Sequence, residues 1–226
     1  MKTQDLIDTL ADTACPGRAL LSPFRRVGLW LCLAVPFVGL IVFVMTPRSD
    51  LLGKLVETHY LVEQGAAVAT SVLAAFAAFS AGVPGRARWS VALPLLPLGL
   101  WLASLGEGCV TAWPRATFRP DWICFPAIVM TGAVPGAAMA VMMRRGAPLM
   151  PRTTMMLGAL AAAALANVGL RLFHPQDASL MVLAWQFGTV ATLSVLGGGF
   201  GGRFLRWRHR AMIPRIPGER FSMKES

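Results

Sequence analysis

Charged residues are scarce in this chain: they make up 14% of its 226 residues, and only 11 residues are acidic. So little charge leaves no segment longer than a short loop for a water-soluble domain. The sequence also lacks GxSxG, HExxH and phosphate-loop motifs, and it has no carboxylate pair within an apolar stretch. Its three histidines do not occupy separate apolar stretches at facing depths, as a haem-binding bundle would require. No enzyme activity, catalytic residue or cofactor is therefore predicted.

Long uncharged apolar stretches are abundant instead. They cover residues 27–47, 64–85, 89–106, 122–143, 153–170 and 178–202. A helix needs about 20 apolar residues to cross the hydrocarbon core, and in lipid it satisfies its own backbone polar groups. The sequence therefore predicts an all-α polytopic membrane protein with six transmembrane helices. Basic clusters before the odd-numbered stretches suggest three stacked helical hairpins.

The basic residues are distributed unevenly around these stretches. If the amino terminus is cytosolic, 16 of the 21 Lys and Arg residues lie on the cytosolic side and five on the other. The positive-inside rule then predicts that both termini are cytosolic. The net charge of +10 is interpreted as an orientation signal, so no direct nucleic-acid binding is expected. The chain divides into a cytosolic segment (1–26), the membrane bundle (27–202) and a basic cytosolic tail (203–226).

Small residues recur at four-residue spacing within the stretches, for example Gly132 with Gly136 and Gly197 with Gly201. Such residues allow helix backbones to approach closely in lipid, and we interpret them as the interior of the bundle rather than as a dimer motif.

Ionisable residues are expected only at the ends of the stretches, with Glu63 and Arg171 at the outer ends. Transporters and proton pumps normally keep such groups at mid-depth. A small transporter or channel-like bundle, built from helices kinked by proline, is therefore the alternative function rather than the preferred one.

Within residues 1–24, called the leader below, residues 2–14 have the periodicity of a short helix that is apolar on one side and acidic on the other and is ended by Pro16-Gly17. Helices that lie on a membrane carry Lys and Arg toward anionic lipid, whereas aspartates would be repelled. A basic groove on a cytosolic protein is the better partner, and a solvated leader without a partner is the open alternative. The predicted partner-binding residues are Asp5, Leu6, Ile7, Asp8 and Leu10.

Segments along nearly the whole chain resemble, in order and spacing, the NrsF family of negative regulators of sigma F. They read KTQDLIDTLADTA, RRVGLWLCLAVPFVGL, PGRARW, GEGCVTAW, DWICF, RRGAP and LRLFHPQDASL. The resemblance implies a six-span anti-sigma factor in the bacterial inner membrane. Its cytosolic amino-terminal segment would hold an extracytoplasmic-function sigma factor away from RNA polymerase and release it on a stress signal from outside.

Cys109 and Cys124 flank the loop between the third and fourth stretches, where the predicted topology exposes them to an oxidising compartment. They are the candidate sensing residues, through a disulfide or a thiol-reactive metal. In the resembling family, many members carry a cysteine equivalent to Cys124 and a second one in the last outer loop. This chain reads His174-Pro175-Gln176-Asp177 in that loop, so Cys109 would have to be the partner.

The other cysteines, Cys15 and Cys32, are expected to be small buried hydrophobic residues. His59 and Glu63 lie one helical turn apart, and together with His174 and the two outer cysteines they are conceivable zinc ligands. The spacing does not favour such a set, and no metal site is predicted.

Overall fold

The computed structural model describes residues 3–5, 7–8, 21–81, 83, 88–112, 124–146, 150–174 and 188–204. Within these residues there are six long helices and no strand, which confirms the all-α prediction for this part of the chain. A short helix, Leu51–Lys54, follows the first long helix, and a 3-10 helix, Arg88–Ala92, precedes the third. The long helices are α1 (Pro23–Val44), α2 (Thr58–Ala81), α3 (Leu95–Ala112), α4 (Cys124–Arg144), α5 (Pro151–Phe173) and α6 (Gly188–Phe204).

Four helical segments are long and apolar enough to cross a membrane, judged by length and composition. A shorter apolar helical run covers Trp89–Leu105. These segments favour membrane association, because each approaches the span of the hydrocarbon core. Six crossings and two cytosolic termini stay predictions. The four candidates are Pro23–Val44, Thr58–Ala81, Pro126–Arg144 and Pro151–Phe173.

The central helix of the bundle is α5, which packs against α2, α4 and α6. Its middle is rich in alanine, and the residues from Ala161 to Asn167 are all buried. The Ser71 hydroxyl of α2 donates a 2.8 Å hydrogen bond to the Ala161 carbonyl oxygen. Small side chains let the neighbouring backbones approach closely enough for such side-chain-to-backbone contacts.

Glycines at the predicted small-residue positions lie between helices. A Cβ added at Gly132 of α4 would lie 3.3 Å from the Ala166 Cβ of α5, and one added at Gly197 of α6 would lie 2.6 Å from the Ala159 Cβ. Neither position has room for a larger residue unless a helix shifts. The interpretation of these glycines as bundle interior is confirmed.

The helix pairs differ in part from the predicted hairpins. The last hairpin, α5 with α6, is present, but among the described helices α3 packs chiefly against α2. Trp101 and Leu105 of α3 are buried in one cluster with Ala67 of α2 and Ala164 of α5. An aromatic side chain as large as tryptophan buries much apolar surface, and the space beside these alanines receives it.

One face of α1 is buried and the other is exposed. On the buried face, the Trp30 indole Nε1 donates a 2.9 Å hydrogen bond to the Pro135 carbonyl oxygen of α4. Cys32 lies on the exposed side, so the expectation that it is buried was wrong. In a bilayer this side would contact acyl chains, so an apolar residue here needs no cover from the protein.

Candidate functional site

The predicted partner-binding residues are described in part. Asp5, Ile7 and Asp8 have helical backbone and are exposed, with Ile7 52% accessible. Leu6 and Leu10 lie outside the described residues. The exposed part of the leader therefore offers carboxylates and an accessible apolar side chain to a binding surface.

At the end of the bundle that follows this leader, called the leader end below, Arg26 holds three helices together. Its guanidinium donates a 2.6 Å hydrogen bond to the Met142 carbonyl oxygen of α4 and stacks on the Phe79 ring of α2 at 4.3 Å. The residue is only 5% exposed. The positive-inside rule counts Arg26 among the orientation charges, and the structure makes it also a buried anchor between α1, α2 and α4.

The start of α1 is fixed by local chemistry as well. The Ser22 hydroxyl caps the helix by accepting a hydrogen bond from the Arg25 amide at 3.5 Å, and Pro23 occupies the first turn, where its missing N–H costs nothing. The Phe24 and Phe76 rings lie 4.6 Å apart between α1 and α2. A change in the position of α2 would therefore alter the contacts at the start of α1, where the leader joins the bundle.

At the opposite end of the bundle, called the far end below, a buried ion pair joins α2 to α5. The Arg171 guanidinium lies 2.9 Å from the Glu63 carboxylate, and their side chains are 6% and 4% exposed. Tyr60 donates a 3.2 Å hydrogen bond to the Arg171 carbonyl oxygen, and its ring lies 5.4 Å from the guanidinium carbon. Because a buried charge is costly unless paired, this contact constrains how the two helices can move.

His59 connects the same pair to α3 and to the surface. Its Nδ1 lies 3.4 Å from Glu63 Oε1, and its Nε2 lies 3.1 Å from the Ser104 carbonyl oxygen of α3. The imidazole side chain is 45% exposed, so the cluster is accessible from outside the bundle. A neutral imidazole has one N–H and can donate to only one of these two oxygens.

A second ion pair stabilises the loop after α1 at the far end. Arg48 donates two 2.6 Å hydrogen bonds to the Asp50 carboxylate, and its backbone amide donates to the Leu172 carbonyl oxygen at 3.1 Å. The Arg48 hydrogen bond lowers the pKa of the Asp50 carboxyl below its ordinary value of 3.8. This loop is thereby attached to the end of α5, next to the buried pair.

The predicted sensing cysteines lie in described backbone, with Cys109 within α3 and Cys124 at the first position of α4. Their side chains fall outside the described residues, so their pairing stays a prediction. Among the residues that the structure describes, no three His, Cys, Asp or Glu side chains gather into a possible metal site.

Sequence reasoning missed the contacts of Arg26, Glu63 and Arg171, because a charge was used to end each predicted span. One signal was available: His59, Tyr60 and Glu63 are spaced to share one face of a helix, as residues three or four apart do. No comparable spacing in the sequence points to Arg171, the partner of Glu63 on α5.

A family model described as NrsF, Negative regulator of sigma F, matches residues 10–207. The matched range contains all six long helices, and four of the five predicted partner-binding residues precede it. No curated protein and no solved structure gives a significant match to the chain.

Proposed function

Because the chain belongs to the NrsF family of negative regulators of sigma F, we propose that it is a membrane-bound anti-sigma factor. In this proposal it holds an extracytoplasmic-function sigma factor at the bacterial inner membrane and releases it when a stress signal acts on the outer side. The single observation that carries the proposal is the family match, which runs from residue 10 to residue 207 and so covers the whole bundle.

The docking part of the proposal rests on the charge and exposure of the leader. Asp5 and Asp8 are exposed beside the accessible Ile7. A sigma factor binds DNA and therefore presents basic surfaces, to which an acidic helix is electrostatically complementary. The apolar side chains of the leader, Leu6 and Leu10 included, would add the burial that gives such a complex its stability.

The membrane part of the proposal rests on helix length and on the distribution of basic residues. Exposed arginines at the leader end include Arg25, Arg145 and Arg152, which is the arrangement expected for a cytosolic face. The far end, with Glu63 and Arg171, would then lie on the outer side. Six crossings would return both termini to the cytosol.

The signalling part of the proposal rests on α2, which takes part in the contacts at both ends. At the far end its Glu63 pairs with Arg171, and at the leader end its Phe79 supports Arg26. A packed helix moves as a unit, so a shift that begins beside the far-end pair can reach the start of α1. Oxidation or soft-metal binding at Cys109 and Cys124 is the proposed trigger for this shift.

The buried pair is also the observation that would favour the alternative, a small transporter or channel-like protein, since such proteins use ionisable groups within helices. Both charges are neutralised by each other, and each lies within two turns of a helix end. This position suits a structural clamp better than a transport site at mid-depth.

The decisive experiment reverses one charge of the leader. We expect Asp8→Lys to weaken retention of the sigma factor by about tenfold, because a like charge then faces a basic surface. Retention is measured by purifying the full chain from membranes and quantifying the sigma factor that mass spectrometry identifies. Transcription of the target genes should rise in the same cells.

The matched control is Glu57→Lys, which makes the same charge change at an exposed position of the far end. It should leave retention unchanged. Equal retention in both variants and in the original chain, at equal protein levels, would contradict docking through the leader. Solute uptake by a chain that lacks residues 1–26 and binds no sigma factor would support the transporter instead.

A further inference from the structure

A groove at the leader end runs along the seam between the first turns of α5 and the second half of α6. Its volume is about 390 Å³, and it is lined by Arg152, Thr153, Met156, Val195, Gly198 and Gly199. None of these residues belongs to the leader or to the far-end cluster. The proposed function therefore leaves this groove without a role.

The groove exists because two adjacent glycines of α6 leave different amounts of space. A Cβ at Gly198 would lie 3.2 Å from the Met156 Cβ, so this position packs against α5. A Cβ at Gly199 would have no atom within 4 Å, so this position opens toward the surroundings. The groove is therefore open on the outer side of the seam between the two helices, where Gly199 has no side chain.

The chemistry of the groove is apolar along its sides and cationic at its rim. Val195 is 66% exposed and Met156 is 40% exposed. Arg152 is exposed, and within the described part of the chain its guanidinium makes no hydrogen bond or ion pair. Arg25 and Arg145 are also exposed at this end, so an anion would be attracted to the same face.

We propose that this groove binds an anionic glycerophospholipid of the cytoplasmic leaflet. Its phosphate would accept hydrogen bonds from the Arg152 guanidinium, which suits phosphate oxygens in geometry and charge. An acyl chain would lie along Met156 and Val195, over the open position at Gly199. The inference rests on the proposed placement of the bundle in a membrane, but not on the docking of a sigma factor.

The test measures binding of phosphatidylglycerol to the full chain, purified in detergent and stripped of lipid, with phosphatidylcholine as the zwitterionic comparison. We expect phosphatidylglycerol to bind at least about tenfold more tightly than phosphatidylcholine, because charge-assisted hydrogen bonds to the phosphate are reinforced by the net negative charge. Arg152→Gln should remove most of this preference. Gly199→Leu should weaken binding of both lipids, because the new side chain fills the groove without meeting the protein.

Two variants serve as matched controls. Arg145→Gln removes an exposed arginine at the same end outside the groove, and Gly28→Leu adds a side chain to α1 where a Cβ also meets nothing within 4 Å. Both should bind lipid as the original chain does.

Equal losses in Arg152→Gln and Arg145→Gln would mean a general charge effect and would overturn the site. Unchanged binding by Gly199→Leu would place the lipid elsewhere. A dimer that only Gly199→Leu dissociates would assign the groove to a second copy. Recovery of the chain in the soluble fraction of cells would reject the membrane placement itself, whereas a membrane-bound chain without lipid preference would reject this inference alone.

Discussion

Glu63→Gln tests whether the far-end pair holds the bundle together. The substitution leaves the Arg171 guanidinium buried without its carboxylate, in a site where the two side chains are now 4% and 6% exposed and 2.9 Å apart. Removing one partner of a buried pair costs about 3–5 kcal/mol. In a chain of this size that corresponds to a fall of about 6–20 °C in the unfolding midpoint. Thermal unfolding of the full chain in detergent, followed by helical circular dichroism, measures it.

The chain offers a matched control in Glu57→Gln. Glu57 pairs with Lys54 at the same distance, 2.9 Å, but the side chains of Lys54 and Glu57 are 21% and 52% exposed. Exposed pairs contribute about 0–1 kcal/mol, so the midpoint should move by a few degrees at most. Equal falls in the two variants would refute the argument that burial makes the far-end pair important.

A double variant distinguishes two effects: the loss of attraction between the two groups, and the cost of leaving one buried charge without a partner. Replacing both Glu63 and Arg171 by leucine removes the two buried charges together, and such replacements are often neutral or stabilising. We expect its midpoint to lie closer to that of the original chain than to that of Glu63→Gln. A double variant as unstable as the single one would show that the unpaired arginine is not the cause.

Two further predictions concern packing and pH. Gly201→Ala should lower the unfolding midpoint by an amount equivalent to about 1–3 kcal/mol, because the added Cβ would lie 2.6 Å from the Pro151 carbonyl oxygen. Gly199→Ala is the control: its Cβ would meet nothing within 4 Å, so the midpoint should not change. The bonds from Arg48 lower the pKa of Asp50, so this pair should stabilise the fold above pH 3.8 and lose its contribution as pH falls through the lowered value. The midpoint difference between the original chain and Asp50→Asn, followed by the same unfolding assay, should shrink on acidification; a constant difference would contradict this.

The apolar stretches predicted the helices well but cut three of them short beside a charged residue. The first stretch was predicted to begin at residue 27, the second at 64, and the fifth to end at 170, each next to a charged residue. The helices instead run through these charges, with Arg26 inside α1, Glu63 inside α2 and Arg171 inside α5. A charge ends a transmembrane prediction because its burial is costly, yet that cost is offset when a partner is present.

The candidate site residues also fall into two groups: those that the sequence predicts and those whose contacts only the fold creates. Exposure of Asp5, Ile7 and Asp8 follows from an amphipathic pattern that the sequence contains by itself. The role of Arg26 depends on Met142, which lies 116 positions away. No local pattern contains that relation, so the sequence indicates only an orientation charge at Arg26.

The sequence alone determined the all-α class, the positions of the apolar helices and the resemblance to a family of regulators, because each depends on residue type and local spacing. The tertiary structure alone decided which charges are buried and what neutralises them. Glu63 and Arg171 are 108 positions apart, and they meet where α2 packs against alanine-rich α5. That packing converts charges at the ends of two helices into a clamp between them.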